Sequence, residues 1–224
     1  MTDVYIVQKL ENNKDIIVNV PGSKSITNRA LMLAALSDGE CNLDGVLFSD
    51  DSRAFLDCLE KLGFQLFIDE NEKRVKVVGT SGKIPNRKAT IDVRSAGTAA
   101  RFLTVMLAVT GGEYTLNSSE QMKKRPMGEI IDLLRNAGVK ISCLEEEGHF
   151  PFIISSNGLD KKEVSINTDT SSQYASALLM AAVMTGLKIK LTGKRVNGAY
   201  IKITLNMLKQ FGIKYVQFEE NKYN

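Results

Sequence analysis

Pro21-Gly22-Ser23-Lys24-Ser25-Ile26-Thr27-Asn28-Arg29 runs straight into Ala30-Leu31-Met32-Leu33-Ala34-Ala35-Leu36. A turn, small hydroxyls and two cations a little over one helical turn apart thus open an apolar helix. A helix start presents free N–H groups and the positive end of the dipole. With Lys24, Ser25, Thr27 and Arg29 added, the segment reads as a pocket for an anion, a phosphate or a carboxylate.

The same architecture returns twice. Ser25-Ile26-Thr27-Asn28-Arg29, Ser95-Ala96-Gly97-Thr98-Ala99-Ala100-Arg101 and Ser171-Ser172-Gln173-Tyr174-Ala175-Ser176 each open an apolar helix with small polar residues. Each is followed by a second helix that stops at a glycine, Gly63, Gly138 or Gly212. These glycines fall about 75 and about 74 residues apart, a repeat period, and glycine there suits a left-handed helix cap. Strands are expected after each, over residues 64–68, 139–144 and 213–218, and again over residues 74–78 and 151–155. The fold class is therefore α/β: three βαβαββ units. The helices over residues 30–36, 103–109 and 177–184 are apolar nearly all round, the mark of buried helices, so they belong together at the centre with their polar starts at one end. The third unit has no room for its last strand, which should begin at Lys222-Tyr223-Asn224, so the chain is expected to be part of something larger. Residues 4–8 read as a leading strand standing apart, and residues 15–20 as the first strand of the first unit.

Composition suits a packed domain: 43% hydrophobic and 25% charged residues in 224. The net charge of +3 does not suggest nucleic acid but suits anionic small molecules. The start lacks the apolar region of a secretory signal, and no stretch approaches a membrane span. Cys41, Cys58 and Cys143 are few and odd in number, without metal or redox spacing, so a cytoplasmic protein is expected.

Single residues carry competing readings. Ser25, Thr98 and Ser172 each suit a plain N-cap; together, beside Lys24 and Arg29, they point to anion binding. Lys123 and Lys124 read as solvated charge. Arg125 differs, because Pro126 restricts its backbone and can start the next helix, aiming the guanidinium from a fixed point. His149 and Glu145-Glu146-Glu147 read as loop and solvated turn. Ser49-Asp50-Asp51-Ser52 reads as a helix start with favourable acidic residues rather than a metal site, and no Asp or Glu stands within the anion-binding motifs. Met180 and Met184 read as core.

Five motifs in order complete the reading: Pro21-Gly22-Ser23-Lys24-Ser25 with Asn28-Arg29-Ala30, Ala96-Gly97-Thr98-Ala99 with Arg101, Met122 with Arg125-Pro126, Ser171-Ser172-Gln173, and Tyr200-Ile201 with Ile203-Thr204-Leu205. Together they resemble the EPSP synthase family, the 3-phosphoshikimate 1-carboxyvinyltransferases, over the N-terminal half of that family's length. The resemblance implies one of the two domains of an enolpyruvyl transferase fold, with repeats at about residues 15–80, 88–158 and 162–224, the last truncated, and residues 1–14 belonging with a missing second domain. It implies transfer of the enolpyruvyl group of phosphoenolpyruvate to the 5-hydroxyl of shikimate 3-phosphate, on the path to aromatic amino acids, by the target of glyphosate. No metal and no cofactor are implied; the partners are the two substrates and the C-terminal domain. By resemblance Lys24 lies between the substrates. Ser25 and Arg29 hold shikimate 3-phosphate, with Arg29 at its carboxylate. Ser171 and Ser172 take its phosphate, with Asn197 as a further amide donor and Tyr200 beside it. Gly97, Arg125 and Gln173 form the phosphoenolpyruvate site, and Lys24 and Arg125 are the catalytic residues.

Departures from the family pattern are Ser95 for asparagine, Phe102 for proline, Gln121 for arginine, Asn197-Gly198-Ala199 for Ser-Lys-Pro and Lys202 for aspartate. Two other readings are the related UDP-N-acetylglucosamine enolpyruvyl transferase and a non-catalytic phosphometabolite-binding module. The first typically carries a cysteine in the loop before Arg125-Pro126, which here reads Asn117-Ser118-Ser119-Glu120-Gln121-Met122.

Overall fold

The computed structural model describes residues 21–219, 222 and 223; the strands expected over residues 4–8 and 15–20 lie outside them. Three helices form the centre: α1 (Lys24–Leu36), α3 (Gly97–Thr110) and α6 (Ser172–Ala181), the last prolonged by a 3-10 turn, Ala182–Met184. From Leu31 to Leu36 no residue of α1 is more than 4% exposed, and α3 and α6 are buried almost as completely. The three pack on one another, and each lies against a sheet of its own unit.

The first sheet joins β1 (Asp38–Asp44), β2 (Gln65–Asp69) and β3 (Arg74–Thr80) in the order β1-β3-β2, and α2 (Asp50–Lys61) belongs to the same unit. In the second, β4 (Lys88–Asp92), β5 (Gly112–Asn117), β6 (Lys140–Cys143) and β7 (Phe152–Ser156) run β4-β5-β7-β6, with α4 (Glu120–Lys123) and α5 (Gly128–Asn136) between β5 and β6. The third has β8 (Glu163–Asn167), β9 (Lys188–Thr192), β10 (Gln217–Glu219) and β11 (Lys222–Tyr223) in the order β10-β11-β9-β8, with α7 (Ala199–Gln210) after β9. The pairs β4/β5 and β8/β9 are parallel, so α3 and α6 are the crossovers that parallel neighbours require. Alternation turns Val75 and Val77 of β3, and Phe152 and Ile154 of β7, fully inward.

The second helix of each unit is amphipathic and ends in the same way. Gly63, Gly138 and Gly212 have φ of +88°, +97° and +74°. In each case the next residue's N–H reaches back to a helical carbonyl: Phe64 to Leu59, Val139 to Leu134 and Ile213 to Leu208. This is the Schellman stop, and only glycine adopts its left-handed turn without strain.

Several expectations are corrected. The N-cap residues are Ser23, Ala96 and Ser171, so Ser25, Thr98 and Ser172 lie inside their helices and are not caps. Pro126 does not start a helix: α5 begins at Gly128, because a short helix, α4, already occupies residues 120–123 and leaves Arg125 and Pro126 as the link. The strand expected over residues 213–218 is confined to Gln217–Glu219. The last strand of the third unit begins where it is expected, at Lys222–Tyr223, and there β11 pairs antiparallel with β9. The acidic turn is not merely solvated: Glu145 pairs with Lys123, and Glu147 with Arg135. Met180 is core, whereas Met184 is only partly buried. Among the described residues no helix is long and apolar enough to cross a membrane.

Because α3 is enclosed, truncating its buried Leu103 leaves a cavity that cannot collapse. Leu103→Ala should cost about 3 kcal/mol in urea unfolding, whereas Ile68→Ala, at a site 42% exposed, should stay within about 0.5 kcal/mol.

Candidate functional site

A cavity of about 390 Å³ opens where the starts of α1, α2, α3, α6 and α7 meet the Arg125-Pro126 link. Five cations line it, Lys24, Arg29, Arg101, Arg125 and Arg195, against one carboxylate, Asp51. That imbalance separates it from the cleft of about 400 Å³ between α5 and β8, where Glu129, Asp132 and Glu163 face Lys161.

Arg29 is the most constrained of these cations. It is 1% exposed, and among the described residues no carboxylate reaches it. Its Nε donates to Thr204 Oγ1 at 2.8 Å, Nη1 to the Ser25 carbonyl at 2.8 Å and Nη2 to Ser176 Oγ at 2.9 Å. The rings of Phe102 and Tyr200 stand 5.3 and 5.8 Å from the guanidinium carbon. Phe102, where the family pattern has proline, continues α3 and supplies an aromatic face. Burial pulls the Arg29 pKa down to about 10, against a smaller opposing effect from Tyr200. The group is still charged at neutral pH, so a cation is buried among neutral acceptors, which an incoming anion would relieve.

A second positive spot lies over Gly97. A Cβ there would stand 2.7 Å from Arg125 Nη1 and 2.9 Å from Arg101 Nη1, so only glycine lets both guanidinium groups converge on the start of α3. Arg101 Nη1 donates to the Gly97 carbonyl at 3.0 Å and to Gln173 Oε1 at 2.8 Å. Gln173 Nε2 donates in turn to Thr98 Oγ1 at 3.1 Å, which joins the starts of α3 and α6. Arg101 Nε is buried with no hydrogen-bond partner. The Arg125-Pro126 link is held by Tyr174, whose hydroxyl donates to the Pro126 carbonyl at 2.8 Å. Burial raises the Tyr174 pKa, keeping that donor protonated.

Lys24 stands at the mouth, 48% exposed, 3.4 Å from Asp51. An ion pair this open to water is weak, so Lys24 can exchange Asp51 for an anion at little cost. Among the described residues no group of three His, Cys, Asp or Glu side chains could hold a metal.

A family model described as EPSP synthase (3-phosphoshikimate 1-carboxyvinyltransferase) matches residues 9–223. The chain belongs to the EPSP synthase family. It is 36% identical over 224 residues to the 3-phosphoshikimate 1-carboxyvinyltransferase of Trichormus variabilis, covering 99% of this chain and 53% of that protein. Against the enzyme of the same description from Neisseria meningitidis serogroup B the identity is 43% over 208 residues, 91% of this chain and 47% of that protein. The fold matches the EPSP synthase structure from Acinetobacter baumannii with a TM-score of 0.77 at 24% identity, over 92% of this chain and 45% of that one. The chain thus spans about half the length of the curated relatives it matches.

Of the residues that the EPSP synthase resemblance singles out, Lys24, Ser25 and Arg29 line the cavity from α1 and Gly97 from α3. Arg125, Ser171, Ser172, Gln173 and Tyr200 line it too. Asn197 is not among the lining residues, whereas Arg195 is. Thr27, read with the anion pocket, serves the scaffold instead. Its hydroxyl accepts from Leu47 N–H at 3.1 Å, holding the loop before α2. Gly22 allows the same approach, since a Cβ there would meet the Gly45 carbonyl at 2.4 Å. Asp51, Thr170 and Arg195 are lining residues that sequence reasoning missed. Asp51 carried a signal, its place in the first turn of α2, but that position alone accounts for an acidic residue through the helix dipole.

The Arg29 environment makes a testable demand. Replacing a buried, uncompensated cation with an isosteric apolar chain is close to neutral, and Ser176 and Thr204 still bond to each other at 2.9 Å. Arg29→Met should therefore change stability by no more than about 1 kcal/mol. The folded chain has the lower pKa, about 10, well below the ordinary guanidinium value of the unfolded chain, so it binds fewer protons than the unfolded chain above about pH 10. The cost of burying the charge is complete below that pH and fades as pH rises above it, because only the folded chain then sheds the proton. Denaturant unfolding of parent and variant should show the parent gaining relative to Arg29→Met as pH rises from about 9 to about 11.

Proposed function

We propose that this chain binds shikimate 3-phosphate and phosphoenolpyruvate in the cavity, as the N-terminal half of an enzyme that transfers the enolpyruvyl group to the 5-hydroxyl of shikimate 3-phosphate. The observation that carries the reading is two separate positive spots in one cavity, one at buried Arg29 and one over Gly97. Two anionic substrates need two such places, close enough to react. In this reading three repeats span residues 15–224, and residues 1–14 belong to the second domain. The setting is cytoplasmic, with no cofactor.

In this scheme Ser25 and Arg29 hold the shikimate end, Arg29 at the carboxylate. Ser171 and Ser172 take the phosphate with N–H groups at the start of α6, and Tyr200 covers the ring. Gly97 N–H and Arg125 hold phosphoenolpyruvate. Gln173 acts mainly by fixing Arg101, because both ends of its amide are engaged. Lys24 bridges the two substrates. The 5-hydroxyl gives its proton to a base and its oxygen attacks C2 of phosphoenolpyruvate as C3 takes a proton from an acid, giving a tetrahedral adduct. Loss of a proton from C3 and of phosphate from C2 re-forms the C2=C3 bond and gives the enol ether. Lys24 and Arg125 stabilise the charge that shifts during these steps. The reaction needs proton transfer at both the 5-hydroxyl and C3, the cavity is lined by one carboxylate, Asp51, and in this reading the further proton-transfer groups come from the second domain.

The chain by itself should therefore bind shikimate 3-phosphate weakly, lose that binding as salt rises, and release no phosphate from the substrate pair. Calorimetric titration at millimolar ligand tests the first part, and absence of any binding would overturn the reading. Turnover by the purified chain would overturn the division of labour. In a complete enzyme restored with the second half, Arg125→Ala should lower kcat/KM for phosphoenolpyruvate by about a hundredfold, with Arg125→Lys only partly restoring it. Unchanged turnover in the alanine variant would make Arg125 a bystander.

A further inference from the structure

We propose that Arg195, a residue outside the motifs of the family resemblance, is the guanidinium that grips the phosphate of shikimate 3-phosphate and makes this end of the site selective for a phosphorylated ligand. The proposal rests on the reading of Ser171 and Ser172 as the phosphate subsite and adds to it a cation that the motif position, Asn197, does not supply.

Arg195 lines the same cavity as Thr170, Ser171 and Ser172, and Asn197 does not. Its backbone is tied to the loop that leads into α6. Lys194 N–H donates to Asp169 Oδ1 at 2.9 Å, and Asp169 N–H donates to Asn167 Oδ1 at 2.9 Å. Gly193 makes this fastening possible. Its φ is +94°, and a Cβ there would stand 2.4 Å from Asn167 Oδ1. On the other side Gly198 N–H donates to the Arg195 carbonyl at 2.9 Å, just before α7 begins at Ala199. The turn is thus held at both ends beside the start of α6.

The side chain itself is exposed and, among the described residues, makes no hydrogen bond or ion pair. An arginine anchored by its backbone, open at its head and placed at a cavity wall of hydroxyls and helix N–H groups matches an anion with paired oxygens, and with Arg29 at the carboxylate the anion left for this end of the site is the phosphate. Its fork can donate two parallel bonds to phosphate oxygens, while Ser171 and Ser172 approach from the helix end. Shikimate, which lacks the phosphate, would not meet Arg195.

Calorimetric titration of the chain with shikimate 3-phosphate and with shikimate tests this. Arg195→Ala should weaken shikimate 3-phosphate at least about tenfold and change shikimate by less than about twofold. Arg195→Lys, which keeps the charge but not the fork, should fall between. Lys194→Ala, the same charge loss one residue away and outside the cavity, should leave the ratio of the two affinities unchanged. Thermal melting of each variant checks that it folds, and the exposed head makes the lysine variant safe in that respect. Equal ratios in parent and Arg195→Ala would overturn the role of Arg195 while leaving the proposed function standing. So would an equal loss on both ligands, or a loss in Lys194→Ala as large. A parent chain that binds neither ligand would overturn both.

Discussion

The structure depends on one constraint: α1, α3 and α6 are apolar on nearly every side and must be covered on every side. No single sheet can do that, because a sheet offers one face to a helix. Three sheets around three helices can. Once the helices lie together, their starts share one end of the domain, and whatever polar residues open them become neighbours. The cavity is the consequence of that enclosure. Its cations are spread in sequence from Lys24 to Arg195, and only the common burial of three helices brings them within reach of one small molecule.

Gathering like charges costs free energy, and the local arrangements show how that cost is contained. Arg29 is satisfied by two hydroxyls, a carbonyl and two aromatic faces. Arg101 leans on Gln173 and the Gly97 carbonyl and lies 5.5 Å from the Tyr174 ring. Lys24 has Asp51. None of these partners neutralises a buried charge. Neutral acceptors hold each guanidinium in place without cancelling its field, so the field remains available to a ligand. That is electrostatic preorganisation, in which the reorganisation needed to stabilise an anion is already built into the fold. A carboxylate beside Arg29 would have made the domain indifferent to anions there.

The glycines divide into two kinds for related reasons. Gly63, Gly138 and Gly212 end helices in a left-handed turn and serve the repeat. Gly97 does not need its backbone freedom; it needs to lack a side chain, since two guanidinium groups occupy the space where a Cβ would go. Both kinds look alike in a sequence, and the spacing of the first kind was legible because it recurs.

Much of the architecture was determined by the sequence alone. The period of the glycine stops, the unbroken apolar helices and the small polar residues at their starts specify three units and a polar end, because each signal comes from neighbours along the chain. The residues of the five motifs were legible through the family resemblance, which reads short runs of the chain. Contacts between distant residues were not. Nothing near Asp51 in sequence says that it faces Lys24, since its place in the first turn of α2 already explains a carboxylate. Thr27 looked like part of the anion pocket, but the turn of α1 carries its hydroxyl to Leu47. The bonds from Arg29 to Ser176 and Thr204, and from Arg101 to Gln173, span elements of different repeats. They exist only after the helices have packed. The position of Arg195 rather than Asn197 at the cavity wall follows from a turn tied to Asp169, and helix packing and loop anchoring of this kind are decided by tertiary structure, because burial and hydrogen-bond geometry depend on which surfaces meet.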